Sequence, residues 1–554
     1  MLQNNITSPQ ASSQPELSGN HLDLNKFNDW VNKQASISFQ PTDESLQRLN
    51  ASVDAVTNAV GDEKVIYGVT TGFGGMSNNT VGCAEAAALQ KNLLSFLAAA
   101  AGPEIDKQHT RGAMLLRANV LMQGKSGVRP EIIQRLVNFC QADAIPVVRQ
   151  FGSIGASGDL IPLATIARSV TGQAGNAKVR IGEQTLSVTE ALKHLQLDPI
   201  QLRAKEGLAL INGTSFSSAI AANATIAGKQ GMALAMMVQS ILMRALQVDL
   251  DPFQEFVHAN KPHPGQLWSA QTIRSLLAGE YHQQRATSQV QDRYSLRCFP
   301  QYNGAIIEGF ARIQQVVETE MNSVSDNPLV DPETGQFYQS GNFLGQYLGI
   351  AMDDLRRFIG LLAKHLDVQI ASLVAPEFNG GLNASLRGNN DQVYNMGLKG
   401  LQICGNSIMP MLTYMGNPIV EHFPTHAEQF NQNINGLSWG AANLAWQSIQ
   451  SFQQYLAVAS IFAVQAIDLR AQQTCGHFDG RELLGAQNRE FYTAVYERLN
   501  AQPGPEQPFL FNDSDRWLEQ DIETLARDIA DQDRLVDATQ PTIDSFDQFF
   551  ELNQ

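Results

Sequence analysis

The stretch "AANLAWQSIQSFQQYLAVASIFAVQAIDLR", residues 441–470, decides the fold. Leu444, Ile449, Phe452, Leu456, Ala459, Phe462 and Leu469 recur at helical spacing on a broad face, with few charges over its whole length. A helix of that kind needs burial between several helices, drawn from one chain or from several. Leu355, Phe358, Ile359, Leu362, Leu366 and Ile370 repeat the pattern and predict a second long helix of the same bundle. Strand signals are few and short: "KVIYGVTT" (64–71), and "AKVRIGEQTLSV" (177–188), which reads as a hairpin around Gly182-Glu183. The class is therefore all-α, or mainly α. Glycine-rich and polar stretches fall between the helices at 67–82, 151–159, 291–304 and 416–437, and loops on a rigid scaffold are where chemistry belongs.

The totals exclude several classes. The chain has 554 residues, 43% of them hydrophobic, ample for a sizeable core. A net charge of −16 without any Lys/Arg-dense run argues against a nucleic-acid partner. The first twenty residues hold no positive charge and no apolar stretch, so they read as a disordered tail of a cytoplasmic protein rather than as a signal or transit peptide. The apolar stretches 231–250 and 441–470 are interrupted by Gln, Arg or Asp, which predicts no membrane-spanning helix. Five cysteines form no C-x-x-C pair, disfavouring a zinc cluster or a disulfide framework and fitting a reduced compartment. His422 and His426 are separated by Pro424 and so make a poor helical metal pair; no metal is expected.

The loop "FGSIGASGDLIPLA" (151–164) carries the chemistry. One reading is a cap, with Asp159 or Ser157 at a helix N-terminus. A serine-hydrolase elbow fits less well, because the second glycine of G-x-S-x-G is missing. The third reading uses the small residues directly. The nitrogen of Gly158, unhindered by a Cβ, bends back onto the carbonyl carbon of Ala156 and closes a five-membered ring with loss of water. Loss of a second water from Ser157 leaves an exocyclic methylidene, a 4-methylidene-imidazol-5-one electrophile that needs no exogenous cofactor.

From that loop the chain resembles the aromatic amino acid ammonia-lyases. The resemblance continues, in order, through "YGVTTGFG" (67–74), "KEGLALINGTS" (205–215), "QDRYSLRCFPQ" (291–301), "SDNPL" (325–329), "GNFLGQYLG" (341–349), "LQICGNSIMP" (401–410) and "FPTHAEQFNQNIN" (423–435). It implies that Tyr67, on a glycine-rich lid, is the base for the substrate's β-proton, and that a cationic or hydrogen-bonding environment favours its phenolate. Arg297 would hold the substrate carboxylate bidentately with help from Asn327. Tyr294 would lie near the electrophile, Asn212 would bond the electrophile or the amine, Phe343 would pack against the electrophile's ring, and Glu428 would sit near the amino group. Gln291 and Lys399 match polar positions around the pocket. Phe96 and Leu97 stand where tyrosine-selective members have His-Leu and histidine-selective members Ser-His; two apolar side chains favour phenylalanine, since burying an unpaired polar group costs roughly 1–3 kcal/mol.

The implied fold is an elongated central bundle of long helices with a smaller N-terminal portion. The division read from sequence is a tail over 1–25, an N-terminal portion over 26–205 with both loops, the bundle over 206–500 and a helical segment over 501–554. The resemblance also implies a homotetramer in which several protomers complete each site. The reaction implied is non-oxidative elimination of ammonia from L-phenylalanine to trans-cinnamate. Alternatives are a tyrosine ammonia-lyase, a 2,3-aminomutase, or an inactive helical scaffold.

Overall fold

A computed structural model describes residue 17 and residues 19–173, 175–279 and 290–553. The chain is mainly α. Its principal helices are Ser215–Ala245, Phe299–Met321, Gln346–Val374, Lys399–Met415 and Ser438–Cys475. The stretch quoted above lies inside the last, a single 38-residue helix. By length and composition that helix could cross a membrane, yet 94% of its most apolar window is buried inside the protein, as in a core helix. The second predicted helix is Gln346–Val374, with Leu355, Ile359, Leu362, Leu366 and Ile370 all buried.

Strand is confined to short pieces. The predicted hairpin forms as Lys178–Ile181 paired antiparallel with Gln184–Ser187, and Ala144–Pro146 adds a third strand. The predicted strand at 64–71 does not form. Thr70 Oγ1 donates to Lys64 O at 2.6 Å and accepts from Ile66 N at 2.8 Å, curling the segment into a turn. Ile66 and Val69 then bury together against Val56, Ala59 and Val330. Side-chain bonding to the local backbone has overridden β propensity here.

The described chain forms two compact units, each discontinuous in sequence, where the reading from sequence cut consecutive pieces. The first comprises 1–222, 317–349 and 420–440; the second comprises 223–316, 350–419 and 441–554. Of the tail expected over 1–25, residues 1–16 and 18 lie outside the described residues. Leu17 and Leu22 are buried, Leu22 N donates to Asn322 Oδ1 at 2.9 Å, and a helix begins at Leu24. In the second unit, the helices Phe299–Met321 and Gln346–Val374 meet at Phe310 and Phe358, ring centroids 6.2 Å apart.

Candidate active site

The Ala156-Ser157-Gly158 loop runs from the strand Arg149–Phe151 to the helix Leu160–Thr171. Asp159 occupies the N-cap position but makes no side-chain cap bond. Its carboxylate instead accepts from Ser217 N and Ser217 Oγ, both at 2.6 Å, and from Ser153 Oγ at 3.2 Å. It is fully buried, and burial pushes its pKa up to about 6 against those bonds. The loop is fastened from outside as well: Leu437 N donates to Ile154 O at 3.1 Å, and Gly345 N and Gly436 N donate to Gly155 O at 3.4 Å.

Gly158 has φ +70, and Asp159 N donates to Gly213 O at 2.8 Å. A Cβ at Gly158 would lie 2.1 Å from Gly213 O, so only glycine fits. Asn212 ends the helix Glu206–Ile211 and donates from Nδ2 to Ser157 O at 3.0 Å, while its Oδ1 is buried without a partner. Buried Arg117 fixes that helix end, donating to Ala209 O, Ser325 O and Asn212 O. The Lys205–Asp326 ion pair, 2.7 Å and wholly buried, anchors the neighbouring segment, where Asn327 Oδ1 accepts from Ser340 N at 2.7 Å.

Gln432, within the stretch 423–435, carries no sequence signal of its own. Its Nε2 donates to Ser157 Oγ at 2.8 Å. It reaches the serine because Glu428, Gln429 and Phe430, at φ 52, 53 and 65, form one left-handed turn of non-glycine residues. Such backbone costs about 1–2 kcal/mol per residue and marks functional segments. No short-range sequence signal announces it.

The same turn brings Glu428 to the tyrosine loop. Gly74 N donates to Tyr67 Oη at 3.0 Å, and a Cβ on Gly74 would lie 2.1 Å from Glu428 Oε2. Burial raises the Tyr67 pKa, the Gly74 N–H opposes this, and the Glu428 carboxylate adds to the rise. The expected hydrogen bond is present, but the neighbouring charge is an anion rather than a cation. Phe96 ends the helix Ala86–Phe96 and is 52% exposed, its ring 6.5 Å from that of Phe73; Leu97 is buried. Half-buried Phe343 lies in the segment fastened to Gly155 through Gly345.

The first unit thus brings together Tyr67, Phe96, Leu97, Ala156, Ser157, Gly158, Asn212, Asn327, Phe343 and Glu428. Gln291, Tyr294, Arg297 and Lys399 belong to the second. There Gln291, Tyr294 and Arg297 line one open depression. The Arg297 guanidinium stacks 4.6 Å from the Tyr294 ring centroid, its Nε is buried without a hydrogen bond, and among the described residues no carboxylate pairs with it. Lys399 opens the helix Lys399–Met415, with Nζ 3.9 Å from Met396 Sδ.

Residues 22–497 match the model of the aromatic amino acid lyase family. The chain is 46% identical over 504 residues to a phenylalanine ammonia-lyase of Nostoc punctiforme, covering 89% of each chain. It is 38% identical over 524 residues to an aromatic ammonia-lyase of Loktanella atrilutea, covering 93% of this chain and 96% of that one. Among solved structures it resembles tyrosine aminomutase from Streptomyces globisporus, with a TM-score of 0.82, 26% identity, and coverage of 93% and 96%.

Proposed function

The chain belongs to the aromatic amino acid lyase family, and on that premise we propose that it eliminates ammonia from L-phenylalanine to give trans-cinnamate. The observation that carries the reading is the cradle around Ala156-Ser157-Gly158: a left-handed Gly158 that tolerates no Cβ, with Asn212 and Gln432 on the two oxygens of Ser157. These residues fit a methylidene-imidazolone made from the chain itself. Gly158 N attacks the Ala156 carbonyl carbon and that oxygen leaves as water; Ser157 then loses its Cα proton and its hydroxyl as a second water. The Gln432 amide, donating to Ser157 Oγ, assists departure of the hydroxyl. The left-handed Gly158 supports the tight bend that ring closure needs. Once formed, the group supplies a strong electrophile at the substrate, without a bound cofactor.

The remaining work falls to side chains. Tyr67 takes the benzylic β-proton, and the Gly74 N–H stabilises the phenolate as it forms. That proton leaves with the amine as ammonium. Arg297, whose fork has no carboxylate partner among the described residues, binds the substrate carboxylate, with Gln291 and Lys399 as polar neighbours. With the group formed, Tyr294, stacked on Arg297, would lie near the electrophile, and Phe343 would pack against the electrophile's ring. Glu428 receives the amino group, Asn327 helps hold the carboxylate, and Phe96 and Leu97 form the apolar wall for the phenyl ring.

We further propose a homotetramer in which Tyr294, Arg297 and Lys399 are supplied to the Ser157 site by other protomers. Exposed Ile403, Met411 and Tyr414 on the helix Lys399–Met415 support this, being apolar surface that an oligomer would cover. The likeness to tyrosine aminomutase favours a second reading, in which ammonia is added back at the β-carbon.

Intact mass spectrometry tests the central step. The wild-type chain is expected two water masses lighter than its sequence, Ser157→Ala is expected to lack the second loss, and its turnover is expected to fall by orders of magnitude at unchanged thermal stability. A wild-type chain at its full sequence mass, or near-normal turnover in Ser157→Ala, overturns the reading.

A further inference from the structure

Beyond the helix Ser438–Cys475, the segment "CGHFDGREL" (475–483) makes a tight return that the proposed elimination does not use. Gly476 closes the helix with φ +84 and its N donates to Gln472 O at 3.2 Å. Phe478 N donates to Pro505 O at 3.1 Å, and residues 480–483 coil into a short 3-10 turn. This return aims three different ligand types at one point. Cys475, His477 and Glu482 each offer an atom, and all three atoms lie within 4.8 Å of one another. His477 Nε2 is 3.2 Å from Glu482 Oε2. Among the described residues no other Cys/His/carboxylate group converges in this way.

We infer that Cys475, His477 and Glu482 form a binding site for a divalent transition-metal ion of borderline softness, zinc above all. One sulfur, one nitrogen and one oxygen are the donor set zinc accepts, and three protein ligands leave a fourth position for water. Metal–ligand bonds of about 2.0–2.3 Å in tetrahedral arrangement set ligand–ligand edges of roughly 3.3–3.6 Å. The nitrogen–oxygen edge is already near that length, and closing the rest needs shifts of about 1 Å in a half-exposed site. Neighbouring Arg481 does not compete, being engaged with Asp479 and donating from Nε at 2.8 Å and from Nη2 at 2.5 Å. Among the described residues, Glu482 has only His477 as an ionic partner.

Loading has two local consequences. The Cys475 thiol gives its proton to solvent as the metal–sulfur bond forms, so uptake of the ion releases a proton. His477 Nδ1 accepts from Asp479 N at 3.2 Å; coordination through Nε2 moves the ring proton to Nδ1 and releases that contact. The set is invisible to a search for C-x-x-C because its spacing is C-x-H-x4-E and one ligand is a carboxylate.

The test uses the full-length chain, stripped with a chelator and titrated with Zn2+ against a chromophoric competitor, then with Co2+. One Zn2+ per chain is expected at low-micromolar or tighter affinity, with intense visible Co2+ bands of tetrahedral type and a near-ultraviolet thiolate-to-cobalt band. Cys475→Ser should abolish the thiolate band and weaken binding at least tenfold, and His477→Gln and Glu482→Gln should each weaken it about tenfold or more, all with lyase activity retained. A thiolate band surviving in Cys475→Ser overturns the assignment, because one of the other four cysteines then holds the ion. So does the absence of stoichiometric binding below about 100 μM.

Discussion

Gly158→Ala tests the cradle most sharply. The residue sits at φ +70, where a side chain costs about 1–2 kcal/mol. Its new Cβ would stand 2.1, 2.2 and 2.4 Å from the oxygen, carbon and nitrogen of Gly213, whereas ordinary contact begins at 3.4 Å, so over 1 Å of backbone movement is required. Gly213 cannot yield outward: a Cβ placed on it would itself lie 2.4 Å from Arg117 Nη1 and from Ser325 O. The movement must therefore break the Asp159 N–H to Gly213 O bond, and a buried amide left unpaired costs about 1–3 kcal/mol. Together these give a loss of about 2–5 kcal/mol. The same shift misplaces residue 158 relative to the Ala156 carbonyl, and about 1 Å of misplacement costs on the order of a hundredfold in rate. Denaturant unfolding and intact mass on one preparation read both effects. The expected variant is less stable by that amount and retains its full sequence mass. A variant of wild-type stability that has lost two waters would refute the steric reasoning.

Tyr67→Phe removes the acceptor of the Gly74 N–H and the base together; kcat should fall about 10²–10⁴-fold with a stability change near 1 kcal/mol, and comparable turnover would remove Tyr67 from the mechanism. Because burial and Glu428 raise the Tyr67 pKa, wild-type kcat/KM should climb on the alkaline side, and Glu428→Gln should move that limb to lower pH; a limb that stays put would contradict the coupling. Phe96→His offers a partner to a phenol, so the ratio of tyrosine to phenylalanine kcat/KM should rise roughly ten- to hundredfold, and an unchanged ratio with both activities intact would show that residue 96 does not face the ring. Buried Asp468 accepts from the hydroxyls of Tyr492 and Tyr496 and from Phe509 N, with its pKa pushed up to about 7 by burial. An unfolded aspartate titrates near pH ~3.9, so between those values the folded chain keeps a proton that the unfolded chain releases. This stabilising contribution is full below pH ~4 and lost as pH rises to about 7, and Asp468→Asn should flatten the fall of Tm over that window; parallel slopes in the two proteins would refute it.

What the sequence made legible was what local pattern alone determines. Leu355 to Ile370 and Leu444 to Leu469 each repeat along one long helix, so their periodicity survives tertiary packing unchanged. The hairpin at 178–187 turns at Gly182, whose φ of +57 suits glycine. Residues 64–71 misled because Val65, Ile66 and Val69 read as strand while Thr70 ties the backbone into a turn. The environment of Tyr67 was beyond reach for another reason: Glu428 arrives from 361 positions away, through a left-handed turn that no propensity favours. Gln432 stayed hidden behind the same turn, although the block containing it was recognised. The donor set at Cys475 escaped because its residues converge only once the return after the long helix is built.

Product analysis of the purified wild-type protein, incubated separately with L-phenylalanine, L-tyrosine and L-histidine, tests the central claim most directly. Chromatography of the acids and a parallel ammonia assay should find trans-cinnamate and ammonia in equal amounts from phenylalanine, slower formation of the hydroxylated acid from tyrosine, and no conjugated acid from histidine. A β-amino acid formed without free ammonia, or faster turnover of histidine or tyrosine than of phenylalanine, would contradict it.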